Sequence, residues 1–405
     1  MPRLLVVLPQ LPQDPGSGAA RSVRTAAELL VAHSAGRWEA RFLATTATEG
    51  RPLPEGPLAY LRAHGLDPQP DPAVGRRGTW TFRDHGLEHL LLDTGEADFL
   101  GWQTREGRHF DGLFDALLAD WRPDLLYTYG GSPGDVARHA RARAAGCRVA
   151  FALCNNGYLH APFFEGMTAV LTQSQFMADL YRDRIGLAST TLSTPLDLAA
   201  TLVPAGEHRP VFFTMVNPSR EKGVFFLARL AEELGTRRPD LPLLVVESRA
   251  GAADLLAAGR AGGFDLARHA NLMFSPAVPL PRDLFRPTRA LLVPSVWNEP
   301  SARVAAEALI NGIPPLVSDR GGVGENCRSA GFVLPLPEDL TMDTDVPVAP
   351  GAVAPWLAVM ERLADDEAFY AEHCQRARAA GQHYRPEVQG PRYVEFFENA
   401  LATGQ

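Results

Sequence analysis

Hydrophobic and polar residues alternate in blocks along this chain, and the blocks predict a doubly wound α/β fold. An apolar run at 3–9 is followed by the turn-rich stretch QDPGSG and then by helical spacing of apolar residues over 19–33. Strand, glycine-containing loop and helix form the first unit of a doubly wound α/β domain. Because further strand-like runs alternate with helical segments, we expect a parallel sheet. These runs cover 39–45, 89–93, 124–129, 148–153 and 169–174.

The second half of the chain repeats the alternation, which predicts a second Rossmann-like domain. Ligands of such sheets bind at the carboxyl ends of the strands, so we expect two facing domains with the active site in the cleft between them. We predict an acceptor-binding domain at 1–197, a donor-binding domain at 198–370 and C-terminal helices at 371–405, the last of which packs back on the first domain. The strand-like runs of this half are 211–216, 241–248, 271–276, 290–295 and 314–319.

Composition supports a globular protein and excludes several other classes. The 405 residues are 46% hydrophobic, 21% charged and 8% aromatic, as in soluble globular proteins. No apolar run approaches the ~18–20 residues of a membrane span, which predicts a cytoplasmic protein. The cysteines show neither CxxC nor Cys/His metal spacing, so we expect reduced thiols and no metal; they are Cys147, Cys154, Cys327 and Cys374.

Charge argues against a nucleic-acid partner. The net charge of −8 is shared by both halves, and neither half is a binder of polyanions. One basic cluster, RHARARAAGCR at 138–148, lies on a predicted helix. We interpret it as a solvated arginine face, with contact to an anionic membrane or acceptor as the alternative. The stretch 51–79, rich in proline and glycine, predicts a long excursion that shapes acceptor specificity.

The segment PSVWNEPSARVAAEALINGIPPLVSDRGGVGEN at 294–326 carries the most specific chemistry. A strand ends at Ser295, and Pro300 stands where a first helical residue is favoured, which predicts a helix from Pro300 onward. Glu299 and Glu307 would then lie about 12 Å apart along the helix axis. The unpaired amides of a helix start bind anions, and here they would belong to Ser301, Ala302, Arg303 and Val304.

This segment resembles the donor-site signature of retaining glycosyltransferases of family 4, the glycogen synthase and phosphatidylinositol mannosyltransferase type, which have the GT-B fold. The resemblance implies that Glu299 contacts the sugar of a nucleotide-sugar donor and Glu307 its ribose. It implies that the amides of 301–304 hold the diphosphate. Base contacts are expected near Val278.

Lys222, in the loop NPSREKG at 217–223, is the only lysine in a chain with 38 arginines. The resemblance implies that it neutralises the donor diphosphate. Members of the family usually carry an arginine about five residues earlier, where this chain has Asn217. We expect either that Arg220 replaces the missing cation or that Lys222 and the helix start act alone.

The first domain resembles the family less specifically. Gly16 and Gly18, in DPGSG, are placed by the resemblance near the donor phosphates and the acceptor. Cys154 stands where many members have a histidine near the transferred sugar. The neighbouring candidates on the acceptor or sugar side are Asn155, Tyr158 and His160.

Taken together, these features predict a hexosyltransferase that moves a sugar from a nucleoside diphosphate sugar to an unknown hydroxyl acceptor, with retention and without a metal or other cofactor. Lys222 and Glu299 are the predicted catalytic residues. Same-face attack is favoured over a glycosyl-enzyme intermediate because no nucleophile pair is evident. Two alternatives stay open: a nucleotide-sugar 2-epimerase-like isomerase and a non-catalytic nucleotide-sugar-binding protein. The oligomeric state is not predicted.

Overall fold

The computed structural model describes residues 1–49, 52–71, 78–95 and 101–402, and its contacts divide the chain into two compact units. Unit 1 contains residues 1–195 and the C-terminal segment from Pro386, and unit 2 contains residues 196–385. Each unit is a β-sheet with helices packed on it. Among the described residues, no helix has both the length and the apolar character needed to cross a bilayer.

Within the described residues, the sheet of unit 1 has nine strands and that of unit 2 has six, and every strand predicted from the sequence is present. The strands of unit 1 are β1 (Arg3–Val7), β2 (Glu39–Thr45), β3 (Gln69–Pro70), β4 (Thr79–Asp84), β5 (Leu87–Leu92), β6 (Leu125–Thr128), β7 (Arg148–Ala152), β8 (Ala169–Thr172) and β9 (Thr190–Thr191). The strands of unit 2 are β10 (Phe212–Val216), β11 (Leu243–Val246), β12 (Leu272–Ser275), β13 (Thr288–Val293), β14 (Pro315–Ser318) and β15 (Phe332–Leu334).

The helices pack on these sheets and cover the apolar strands. They are α1 (Gly18–His33), α2 (Pro57–Ala63), α3 (Trp102–Ala116), α4 (Pro133–Ala144), α5 (Gln175–Ile185), α6 (Leu198–Thr201), α7 (Val224–Arg237), α8 (Ala252–Ala261), α9 (Pro281–Phe285), α10 (Arg303–Ile310), α11 (Pro350–Asp365), α12 (Glu367–Gly381) and α13 (Pro386–Ala402).

Strand order places a switch point in each sheet. In unit 1 the order is β3-β4-β5-β2-β1-β6-β7-β8-β9, and in unit 2 it is β12-β11-β10-β13-β14-β15. The chain therefore leaves β1 in one direction and returns to its other side at β6, and it does the same at β10 and β13. Loops at the carboxyl ends of such strand pairs diverge and leave a crevice where ligands bind in doubly wound sheets.

The last helix, α13, belongs to unit 1, where it packs against α1. Its Gly390 permits this close approach, because a Cβ there would lie 2.3 Å from the ring of His33. Phe397 contacts Trp38, with ring centroids 6.4 Å apart. The C-terminus thus completes the apolar core of the first sheet.

The antiparallel edge of unit 1, formed by β3, β4 and β5, was not predicted. The predicted excursion at 51–79 contains α2 and β3, while residues 51 and 72–77 lie outside the described residues. The edge includes a buried histidine, His89, stacked between Phe42 and Phe82 at 4.2 and 4.6 Å. Polar and aromatic residues alternate in β4, as is typical of an antiparallel strand, but they follow directly on the turn-rich stretch.

Candidate functional site

The switch point of unit 2 brings together the two loops that carry the predicted catalytic residues. Lys222 lies on the loop after β10 and Glu299 on the loop after β13, and these strands are parallel neighbours. The amides of Val296 and Trp297 both donate to the carbonyl oxygen of Glu221, at 3.0 and 3.3 Å. The backbones of the two loops are therefore in direct contact beside Lys222 and Glu299.

Gly223 makes this contact possible. Its φ of +85° lies in the left-handed region, and a Cβ on it would be 2.1 Å from the carbonyl oxygen of Pro294. A side chain at this position would push the two loops apart. The glycine of NPSREKG, which directly precedes α7, is therefore required for the packing of the two loops.

Lys222 and Glu299 form an ion pair at this switch point. Nζ of Lys222 is 2.6 Å from Oε1 of Glu299. The buried hydroxyl of Ser295 donates a hydrogen bond to the same oxygen. The side chain of Glu299 is 5% exposed, whereas that of Lys222 is 22% exposed. The carboxylate is thus fixed within the fold, and the ammonium lies at its open side.

The GG turn of the signature holds the backbone of Glu299. The amide of Gly322 donates to the carbonyl oxygen of Glu299 at 2.8 Å. Gly321 has a φ of +60°, and a Cβ there would be 2.5 Å from the backbone nitrogen of Glu299. Gly322 therefore holds the backbone of Glu299 by a hydrogen bond, and Gly321 permits the close approach.

The predicted start of the following helix is wrong: α10 begins at Arg303, not at Pro300. The carbonyl of Glu299 is bonded to Gly322, and the hydroxyl of Ser301 accepts from Asn326 Nδ2 at 2.7 Å. These bonds keep 299–302 out of the helix. Glu299 consequently lies in a loop, and the helical geometry expected between it and Glu307 does not apply. Of the amides predicted at the helix start, those of Arg303 and Val304 lie there, while Ser301 lies in the loop and Ala302 is the N-cap residue.

Glu307 is on α10, buried, and already has a cationic partner. Its Oε1 accepts from Arg303 Nε at 2.9 Å, one helical turn earlier. The signature's second glutamate therefore lies beside a guanidinium, which was not predicted. Arg303 brings side-chain charge to the helix start in addition to its amide.

Asn217 is buried and holds the loop that carries Lys222 by hydrogen bonds. It has a φ of +59°, a conformation that asparagine adopts more readily than most residues, and it is 6% exposed. Its Oδ1 accepts from the amide of Ala250 at 2.9 Å, and its amide donates to Val246 at 2.9 Å. This asparagine thus joins the loops after β10 and β11.

Arg220, the predicted replacement cation, is engaged elsewhere in this structure. Its guanidinium donates to the carbonyl oxygen of Thr344 at 2.8 Å and lies over the ring of Phe225. Val278, predicted near the base, is half-buried and packs on an apolar cluster of unit 2 that includes Phe285.

The switch point of unit 1 has a different chemistry, centred on Asp14, which sequence analysis missed. The Asp14 carboxylate is 2% exposed and accepts from the amides of Gly16 and Glu49, at 2.8 and 2.6 Å, and from Gln10 Nε2 at 3.1 Å. Burial raises the pKa of Asp14 to about 6, although the two amides oppose the shift. A lone aspartate in a turn-rich stretch gave no signal that it would be buried.

The two glycines predicted in this loop differ in their surroundings. A Cβ on Gly16 would lie 2.7 Å from the carbonyl oxygen of Glu49, so the loop after β1 can contact the loop after β2 only with glycine there. Gly18 begins α1, and a Cβ on it would meet nothing within 4 Å. Ser17 caps this helix by accepting from Ala20.

The predicted acceptor-side residues follow β7 and mostly make internal contacts. Cys154 is half-buried, and burial raises the pKa of its thiol to about 12, so the thiolate form is disfavoured. Asn155 accepts from Gly157 at 2.8 Å. Tyr158 stacks on Phe163, with ring centroids 5.0 Å apart. His160 is exposed and precedes a short 3₁₀ turn.

The basic cluster on α4 is not a solvated face throughout, as its interpretation assumed. Arg138 is 3% exposed and pairs with Asp111 and Asp135 at 2.8 and 2.7 Å. Arg141 pairs with Asp111 and Asp115 at 2.8 and 2.9 Å. Acidic residues of α3 therefore neutralise two of these arginines, which weakens the alternative of an anionic surface as partner.

Side chains with metal-ligand chemistry converge at one place in the described chain, next to the loop after β1, where Gln13 Nε2 donates to Asp84 at 2.9 Å. One ligand atom each of Glu28, Asp84 and His85 lies within 4.8 Å of the others. Arg24 is 3.2 Å from Glu28 and 3.8 Å from Asp84, so a guanidinium already neutralises the two carboxylates. The group is better described as an ion-pair cluster than as a metal site.

Comparison with known proteins identifies the fold through solved structures and not through sequence. No protein-family model matches the sequence, and no curated protein matches it. Among solved structures, a glycosyltransferase from Rickettsia africae ESF-5 superposes with a TM-score of 0.66 at 10% identity, over 99% of each chain. Anabaena Alr3699/HepE in complex with UDP and glucose has a TM-score of 0.65 at 13% identity, over 98% of this chain and all of that one. The catalytic domain of starch synthase IV from Arabidopsis thaliana, bound to ADP and acarbose, has a TM-score of 0.65 at 11% identity, over 98% and 99%.

This chain has the GT-B fold. The superpositions extend over nearly the whole of both chains, and the fold class expected from the sequence is confirmed. At 10–13% identity the likeness carries the architecture of two Rossmann-like domains. The chemistry must be argued from the residues of this chain.

Proposed function

We propose that this protein is a glycosyltransferase that transfers a sugar from a nucleoside diphosphate sugar to a hydroxyl acceptor, with the donor bound at the switch point of unit 2. The observation that carries this proposal is the contact of Lys222 with Glu299 where the loops after β10 and β13 meet. A cation and a carboxylate at a switch point match the two parts of such a donor, an anionic diphosphate and a polyhydroxyl sugar.

Each donor group has a proposed partner. Lys222 binds the diphosphate, assisted by the helix start at Arg303 and the loop before it, whose amides favour an anion. Glu299 accepts hydrogen bonds from sugar hydroxyls, and Glu307 does the same for the ribose. The remaining proposed donor contacts are Asn217, the amides of Ser301, Ala302 and Val304, the backbone near Val278, and the loop with Gly16 and Gly18.

The proposed reaction retains the configuration at the anomeric carbon. The bond from that carbon to the leaving phosphate oxygen breaks, the acceptor oxygen bonds to the same face, and its proton passes to the departing phosphate. Lys222 stabilises the charge that develops on the diphosphate, a role for which we propose no metal. For the acceptor side we propose unit 1, with Asn155, Tyr158 and His160 as candidates and Cys154 as a neutral neighbour.

A thermal-shift screen with UDP-, GDP-, ADP- and TDP-sugars tests this proposal, because a ligand that binds only the folded protein raises its melting temperature. We expect one base to give a clear shift and the corresponding donor to be consumed when hydroxyl acceptors are added. Absence of any shift across the panel would refute the proposal.

Two other outcomes identify the alternatives. NMR of the donor incubated without acceptor shows a new sugar epimer if the protein is an isomerase. Tight donor binding with neither transfer nor slow donor hydrolysis identifies a binding protein.

A further inference from the structure

The contacts of Glu299 indicate a role for Ser295 that goes beyond donor recognition. Two groups contact the same carboxylate oxygen, Oε1: the ammonium of Lys222 at 2.6 Å and the hydroxyl of Ser295. One of these partners is on a flexible, partly exposed stem, and the other is fully buried, two residues after β13. The stem of the lysine is long and flexible, so its ammonium can exchange its partner without a shift of the backbone.

A donor diphosphate and Glu299 compete for this lysine. Lys222 is the only lysine of the chain, and Arg220 is bonded to Thr344. If the diphosphate draws the ammonium away, a carboxylate that is 5% exposed loses its cation. Leaving a buried charge without a partner is strongly unfavourable unless another donor remains. Ser295 is that donor.

We propose that Lys222 exchanges Glu299 for the donor diphosphate, and that Ser295 is the positioning residue that keeps Glu299 in place while the lysine is away. After transfer, the nucleoside diphosphate product is released as Lys222 returns to Glu299. This inference rests on the proposed function of the same site. It adds that Glu299 opposes binding of the diphosphate, so that the product is held less tightly than an unpaired lysine would hold it.

The exchange predicts opposite effects of two conservative substitutions. Glu299→Gln removes the competing charge, so the affinity for nucleoside diphosphate should rise by about fivefold or more. Ser295→Ala removes the second donor, so withdrawal of Lys222 costs more and the same ligand should bind more weakly. A substitution that merely damaged the site would weaken binding in both cases.

Glu221→Gln is the matched control for the change in charge. Glu221 is adjacent to Lys222 in sequence, and its carboxylate pairs with no described residue, while its backbone carbonyl, which the substitution keeps, accepts from Val296 and Trp297. The variant removes one negative charge from the same loop without removing a partner of the lysine. We expect its affinity to change less than twofold.

Isothermal titration calorimetry with UDP, ADP, GDP, dTDP and inorganic pyrophosphate measures these effects on the full chain. Tighter binding by Glu299→Gln and weaker binding by Ser295→Ala support the exchange. In the double variant Ser295→Ala/Glu299→Gln, the serine effect should vanish, because its partner carboxylate is gone. Thermal melts of each variant establish that it is folded.

Unchanged or weaker binding by folded Glu299→Gln would overturn the exchange, as would a gain of equal size in Glu221→Gln. These results leave the proposed function intact if the wild-type protein binds a nucleoside diphosphate. A wild-type protein that binds none of the five probes overturns both.

Discussion

The carboxyl edges of the two sheets place acidic side chains in different surroundings. In unit 2, Glu299 contacts the ammonium of Lys222 and a serine hydroxyl. In unit 1, Asp14 accepts from two backbone amides and a glutamine. The first arrangement leaves a partly exposed ammonium beside a buried carboxylate, whereas the second uses an acid to hold two loops together. The same position in a doubly wound sheet therefore carries the proposed donor site in one unit and a contact between loops in the other.

The contrast predicts that catalysis depends most on unit 2. Lys222→Ala and Glu299→Ala should each lower kcat/KM about 100-fold or more, because each removes a charged group from the proposed donor site. Initial rates of donor consumption with acceptor measure the loss. Arg237→Ala, which breaks an exposed ion pair with Glu361 in the same unit, is the control and should keep its activity. Full activity in either site variant would refute the assignment of the site.

A pH profile of unfolding tests the structural role of Asp14. Its folded pKa, about 6, is above its unfolded value of 3.8, so the protonated folded state is favoured between these values. This contribution to stability is fully present below about pH 4 and is lost as the pH rises to about 6, by up to about 3 kcal/mol. Urea unfolding of wild type and Asp14→Asn from pH 4 to 7 should show a slope that the variant lacks. Parallel profiles for the two proteins would contradict the shifted pKa.

The loop after β1 allows a comparison of two neighbouring glycines. Gly16→Ala should lower the free energy of unfolding by about 1–3 kcal/mol, because its Cβ would overlap the carbonyl oxygen of Glu49. Gly18→Ala meets open space at the start of α1 and should leave stability unchanged or raise it by up to about 1 kcal/mol. Urea unfolding measures both variants. Equal destabilisation by the two changes would show that the contact between the loops after β1 and β2 contributes nothing.

The smallest effect is expected at Cys154. Because burial raises the pKa of its thiol to about 12, it should resist alkylation by iodoacetamide at pH 8 in the folded protein. Cys154→Ala should keep transfer activity within about threefold, since a neutral buried thiol has no proton to exchange at neutral pH. Mass spectrometry locates the label. Rapid alkylation of Cys154, or loss of activity on its substitution, would contradict the raised pKa and would show that Cys154 is a reactive thiol.

Eleven strands could be predicted from the sequence because a buried parallel strand is a short apolar run, and such runs are separated here by polar helices and turns. The strands β3, β4, β9 and β15 were not predicted. The true start of α10 could not be predicted from the sequence. Pro300 satisfies the local rule for a first helical residue, but bonds from Gly322 and Asn326 hold 299–302 out of the helix. Those partners are 23 and 25 residues away in sequence, and a local pattern does not contain them.

The candidate site was predicted in part for the same reason. Lys222 and Glu299 were assigned to one ligand from their motifs, but their direct contact follows from the strand order, which places β10 beside β13. The burial of Asp14 follows from its bond to the loop after β2, and the ion pair of Glu307 with Arg303 was visible as an i, i+4 spacing that the interpretation of the motif did not use.

The central claim is that Lys222 receives the diphosphate of a nucleotide-sugar donor, and the composition of the chain allows a direct test. Because Lys222 is the only lysine, selective ¹³Cε-lysine labelling gives one lysine signal in an NMR spectrum of the whole protein. On titration with UDP, ADP, GDP and dTDP, the account predicts that this signal shifts and saturates with the nucleotide that stabilises the protein against heat. It also predicts that the Glu299→Gln substitution changes the chemical shift of the lysine signal before any nucleotide is added. A nucleotide that binds and stabilises the protein while the lysine signal stays unchanged would contradict the account.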